Sequence, residues 1–195
     1  MTPSAHPSPA VCLVVLTIVA TSASADILEK NRAAYNQAVQ QMNAVSGGAR
    51  PDLIVLSPDE AVRRYSLGPF DLAPSAGRKT PPVGLGARVA VRGNLIVSHA
   101  EEMSEKAAPK RLRVYGALAA DGSRAFVPLD ISSLAASALK IVTDHCAVIP
   151  CPVTVYGHVG EIEAERVSNP FSAAGVLTMM IGVVAEGARF HETRP

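Results

Sequence analysis

The sequence predicts an α+β protein, mainly β, in which a helical N-terminal segment precedes a small five-stranded barrel. Three observations carry that expectation. Apolar residues recur at helical spacing before residue 71 and with a period of two after residue 86. Between these regions, Asp71 to Gly86 holds three Pro and three Gly in sixteen residues, the composition of a linker or surface loop. Beyond it the elements read as three strands, a helix and two more strands.

Residues 1–25 read as a secretory signal that does not belong to the fold. An apolar run from Val11 to Ala20 is followed by small polar residues ending Ala23-Ser24-Ala25, an A-x-A cleavage pattern. The region before the run departs from the usual pattern in having no Lys or Arg. The run is too short for a bilayer, which needs about 20 apolar residues, so no membrane span is expected once the signal is removed. The expectation is a secreted or periplasmic protein cleaved between Ala25 and Asp26. That leaves 195 − 25 = 170 residues, enough for one domain with an accessory segment. All 18 basic and 17 acidic residues fall in this part. Near-neutrality argues against a general binder of nucleic acid or anionic membranes, which would need a broad positive field. Four Tyr, four Phe and no Trp leave little for stacking surfaces.

Taken in order, Asp26 to Val45 has helical rhythm, with Leu28, Tyr35, Ala38, Met42 and Val45 on one face. Ser46-Gly47-Gly48 suits its end. Leu53 to Leu56 could be a short strand or the lead into a helix. Ser57-Pro58-Asp59-Glu60 opens a helix with a capping box, and the helix should stop before Gly68-Pro69. These elements make a helical N-terminal segment, 26–70, joined by the linker 71–86 to a barrel domain, 87–192. In the first barrel strand, Arg88 to Val97, the residues Val89, Val91, Leu95 and Val97 point one way, and Gly93 suggests a bulge or bend. A charged connection, Glu101 to Lys110, leads to a second strand, Arg111 to Leu118. Asp121-Gly122 signals a type I′ hairpin into a third strand, Arg124 to Ile131, which Pro128 marks as an edge or as bent. Ser132 or Ser133 should cap a helix over Leu134–Val142. Val153 to Val159 is the clearest strand of the chain. The apolar run Ala173 to Ala185 reads as a buried strand or hairpin, with a buried helix over Ala173–Met180 as the rival.

A three-stranded meander, a helix and two further strands is the element order of the OB-fold, a five-stranded Greek-key barrel. The segments GARVAVRGNL and CPVTVYGHVG resemble the Val-x-Val-x-Gly-x-Val strands of exported OB-like domains. The resemblance covers about residues 86–192. It implies a closed barrel whose second and third strands and adjoining loops form a binding face. It implies no particular function.

Two residue groups stand out chemically. Cys146 and Cys151 are the cysteines left after the signal, an even count in an exported chain, and their pairing predicts a disulfide. Closing so short a loop contributes about 2 kcal/mol. The alternative is a metal or redox protein, because His145, Cys146, Cys151 and His158 offer the thiolate and imidazole ligands that suit zinc or copper. The spacing is not the C-x-x-C of redox exchange. The second group is basic: Lys106, Lys110, Arg111 and Arg113, beside Tyr115, could bind an anionic ligand or an anionic oligomer such as nucleic acid or an oligosaccharide. His99, His158 and His191 have no acid or nucleophile partner visible in the sequence. No G-x-S-x-G, H-E-x-x-H, P-loop or G-x-G-x-x-G pattern occurs. The expectation is a non-enzymatic binding or interaction module in the exported compartment. It would need no cofactor, and its partner would be a protein or a small anionic ligand.

Overall fold

The computed structural model describes residues 9–48, 50–70, 83–103, 111–122, 125–163 and 179–193. Helix α1 spans Pro9–Val45, so the Ala25–Asp26 junction lies inside one continuous helix instead of ahead of it. Strand β1 (Val55–Leu56), helix α2 (Pro58–Tyr65) and strand β2 (Gly68–Phe70) follow. The barrel strands are β3 (Arg88–Met103), β4 (Arg111–Ala119), β5 (Phe126–Asp130), β6 (Cys151–Glu163) and β7 (Met179–Phe190), with helix α3 (Ala136–Cys146) between β5 and β6. Among the described residues no helix is long and apolar enough to cross a membrane.

The five long strands close a ring in the order β3-β4-β5-β7-β6-β3. All neighbours are antiparallel except β5 and β7, which run parallel over Leu129↔Val183 and Asp130↔Val184. Helix α3 lies between the third and fourth strands of the ring. The fold is therefore α+β, mainly β: an OB-like five-stranded barrel behind an N-terminal helix. Two short strands extend the sheet to seven, β1 parallel to β3 and β2 antiparallel to β7.

Strand β3 makes the closure possible. Its first half pairs with β6 over Arg88–Leu95 and its second half with β4 over Asn94–Met103, so one strand bends from one side of the ring to the other. The bulge falls at Ser98, between Val97 and His99, and not at Gly93. Gly93 answers a different need, since a Cβ there would lie 2.9 Å from the Ala119 carbonyl oxygen and 3.0 Å from Pro58 Cγ. Glu101 to Met103, read from the sequence as connection, belong to the strand; residues 104–110 lie outside the described residues. Val89, Val91, Leu95 and Val97 are all buried, as their alternation requires.

The Asp121-Gly122 turn is not of type I′. Gly122 has φ +73°, but Ser66 is the sole described non-glycine residue with positive φ, so Asp121 lacks the conformation that turn needs at both central positions. Pro128 pairs with Ala117 of β4 and is buried, its carbonyl lying against Gly182 of β7 just before the parallel pairing begins, so the strand is flanked on both sides there. The serines expected to cap α3 do not. Its N-cap is Ala135, without a side-chain hydrogen bond. Ser132 Oγ instead accepts the Val114 amide at 3.0 Å, and Ser133 Oγ donates to the Ala185 carbonyl. Both hydroxyls satisfy barrel-strand backbone that would otherwise lack a partner at the corner. The final apolar run resolves as strand from Met179; residues 164–178 lie outside the described residues, and so do 71–82 of the expected linker.

Helix α2 starts as its sequence dictates. Ser57 Oγ accepts the Glu60 amide at 3.3 Å while the Ser57 amide donates to Glu60 Oε2 at 2.8 Å. The Ser57 amide, and then the Ser57 hydroxyl donating to the same oxygen at 2.7 Å, hold the Glu60 carboxyl below its ordinary titration range. Ser57→Ala is expected to lower the thermal midpoint by roughly 2–4 °C, read by circular dichroism; an unchanged midpoint would show the cap to be idle.

The N-terminal helix and the barrel share one core. Tyr35, Val39 and Met42 of α1 cluster with Ala61 of α2 and with barrel residues such as Leu95, Leu118, Leu129, Val155 and Phe190. Leu28 and Val45, assigned to the same stripe by spacing, remain 41% and 43% exposed.

Candidate functional site

An open cleft forms where α1, the wall of the barrel and the C-terminal residues meet. It has a volume of about 660 Å³, within the usual range of small-molecule sites. Five separate stretches of chain reach it: Arg32 of α1, Arg92 and Asn94 of β3, Asp121 of the β4–β5 turn, the Ile149–Pro152 segment, and His191 to Thr193.

The docking of α1 builds its upper wall. Asn36 and Asn43 lie two helical turns apart, on one face. Asn43 Oδ1 accepts the Phe190 amide at 2.7 Å and its Nδ2 donates to the Phe190 carbonyl at 2.9 Å. Asn36 repeats the pattern on Thr193, accepting the amide at 2.8 Å and donating to the carbonyl at 3.2 Å. Each carboxamide does for the chain end what a neighbouring strand would do. The Ser46 carbonyl accepts the Ala188 amide at 2.8 Å and completes the row.

On the barrel side, Arg92 and Asn94 of β3 line the cleft. Arg92 of β3 stands directly opposite Thr154 of β6, which stands opposite Arg189 of β7. Side chains at such cross-strand positions point to one face of the sheet. Thr154 is buried, and its Oγ1 lies 2.9 Å from His191 Nε2. Partial burial and then the charges of Arg92 and Arg189 hold the His191 imidazole below its ordinary value of 6.5. As pH falls through that value, the unfolded chain takes up this proton before the folded chain does. His191 therefore withdraws stability on acidification and contributes nothing to pH dependence above it. Proton NMR of the His191 ring should show a midpoint below 6.5 that rises in Arg92→Gln; an unmoved midpoint would mean that the Arg92 charge does not reach the ring.

The residues singled out from the sequence are dispersed. Lys106 and Lys110 lie outside the described residues, as does the side chain of Arg111. Arg113 is half-buried opposite Glu101, and Tyr115 is 4% exposed with its ring 6.4 Å from that of His99. Tyr115 thus offers almost no ring surface for stacking.

Cys146 and Cys151 are joined as a disulfide with Cα atoms 5.4 Å apart. A bonded pair has no thiolate to offer a metal. His145, at the end of α3, lies edge-on to Tyr35 at 6.4 Å, and His158 Nδ1 is 3.0 Å from Glu186 Oε1 on β7. Among the described residues no three His, Cys, Asp or Glu side chains converge as metal ligands. Both cysteines are fully buried, which also removes the sulfur from exchange with external thiols. Replacing both by Ser is expected to cost about 2 kcal/mol in urea denaturation; thiol titration of the unfolded, exported protein should find none free, and two free thiols would refute the bond.

Sequence reasoning missed the cleft. His191, Arg92 and Arg32 are separated by scores of residues, and only barrel closure brings them together. No protein-family model matches the chain, and no curated protein shows significant sequence similarity to it.

Proposed function

We propose that the mature chain is an exported, non-enzymatic binding module that takes a small ligand in the cleft between α1 and the barrel. The observation that carries this reading is the cleft itself: an open, preformed volume of about 660 Å³ with convergent polar groups at the junction of three elements. The A-x-A pattern at Ala23–Ala25 and the buried disulfide favour export. His158 is engaged by Glu186, and His191 by the Thr154 hydroxyl, which is 4% exposed and so has little room to meet a substrate.

Two measurements test the reading. In a secretory expression host the recovered protein should begin at Asp26; a product retaining its first 25 residues would overturn export. A small-fragment mixture added to the labelled protein should shift the amide resonances of Asn94, Ala119 and Thr193 together. Shifts confined to a different surface would move the site elsewhere.

A further inference from the structure

We propose that this cleft recognises an oxyanion, the phosphate or carboxylate head of a small organic molecule, through Arg32 and Arg92, which line it, with Arg189 adding its charge from beside His191. The inference rests on the cleft being the binding site and adds the class of ligand.

The geometry argues for an anion. Neighbouring strands lie about 4.8 Å apart, so the Arg92 and Arg189 backbones flank Thr154 and stand roughly 10 Å from each other on one face. Like charges so placed repel. Yet among the described residues neither Arg92, Arg189 nor Arg32 forms an ion pair, whereas Arg88, four residues from Arg92 on the same strand, pairs with Asp52 at 3.6 Å. Two arginines on the strand positions flanking one hydroxyl, with a third on α1, supply the forked donors that oxyanions accept. His191 adds a fourth nitrogen-bearing group. An anion placed there favours its protonated form, so affinity should rise as pH falls through the imidazole range. The groups facing that ring are Arg92, Arg189 and the Thr154 hydroxyl, with Glu192 next to it in the chain.

The carboxylates in the cleft limit what fits. Asp121 Oδ1 accepts the Asn94 side-chain amide at 2.7 Å, and Glu192 is exposed at the rim. A long polyanion would run from the arginines onto these two groups. A single charged head on a compact, otherwise neutral molecule would not.

The test uses the protein recovered after export, isotope-labelled, at low ionic strength. Inorganic phosphate, acetate and the neutral probe acetamide are each titrated while the amides of Asn94, His191 and Thr193 are followed by NMR. Saturable shifts with phosphate, acetate or both are expected, with the stronger probe naming the head group. Arg92→Gln and Arg189→Gln, both at exposed positions, should each weaken binding at least about tenfold, the loss expected for one charge-assisted contact. Anion shifts that survive both substitutions would overturn the proposal. Saturable shifts with acetamide alone would overturn the anion class and leave the cleft as a binding site. If no probe shifts these amides, both readings fail.

Discussion

Gly157→Ala is expected to destabilise the protein by at least about 3 kcal/mol and to leave much of it unfolded at ordinary temperature. Gly157 lies where the β6–β7 ladder slips by one residue: Tyr156 pairs with Gly187 and Gly157 with Ala185, so Glu186 is the extra residue of a bulge. An added Cβ would press into the Val184 carbonyl oxygen and lie 2.9 Å from its carbon and 3.0 Å from Ala185 Cα. All three atoms are backbone, and none can rotate away. Relief would require β7 to move off β6, and this ladder closes the ring beside the single parallel seam between β5 and β7. Gly122→Ala is the matched control. That turn position has φ +73° but nothing within 4 Å of a new Cβ, so the cost is the left-handed backbone alone, about 1 kcal/mol. Urea denaturation of the two variants should separate them clearly. Equal midpoints would mean that the bulge at Glu186 is misplaced.

The same residues show what could and could not be read in advance. The alternation of Val89, Val91, Leu95 and Val97 and the order of elements predicted the barrel, because one buried face imposes a period of two on a strand wherever the ring closes. The capping box at Ser57 was legible because every atom of it lies within four residues. Asn36 was not. Its polarity and position away from the apolar stripe read as solvent exposure, and its use as a substitute strand for Thr193, 157 residues away, depends on where the barrel ends. Ser132 and Ser133 misled for the related reason that a hydroxyl before a helix can serve the helix or a nearby strand, and unpaired strand backbone was the stronger demand. Strand β2 went unseen because three residues containing a proline carry no periodicity, and only the free edge of β7 makes them a strand. The cleft suffered most from this distance effect. None of its five contributing stretches carries a motif, and Arg113 and Tyr115, the described side chains of the cluster that stands out in the sequence, do not line it.

Tyr35→Ala is expected to cost about 3–5 kcal/mol, the range for deleting a fully buried aromatic side chain, and to loosen α1 from the barrel. Tyr35 is 0% exposed, its ring meets His145 edge-on at 70°, and burial pushes its phenol well above the ordinary value. Its hydroxyl donates to the Pro152 carbonyl at 3.1 Å. That bond is the smaller part of the effect, because the same carbonyl also accepts the His191 amide at 2.8 Å and stays satisfied without the phenol. Tyr35→Phe should therefore cost only about 1 kcal/mol. The alanine variant removes the ring itself. It leaves a void between α1 and α3, and the helix that carries Asn36 and Asn43 no longer has its central anchor. Hydrogen exchange offers a readout that global stability does not. The Phe190 and Thr193 amides, held by those asparagines, should lose protection in Tyr35→Ala before the amides of the β6–β7 ladder do. Arg32 sits one turn before Tyr35 on the same helix, so the cleft should lose its upper cation in the same step and bind anions more weakly. If the two amides stay as protected as in the parent while stability falls, α1 is not held by Tyr35, and the wall of the cleft must be fixed by the asparagine contacts alone.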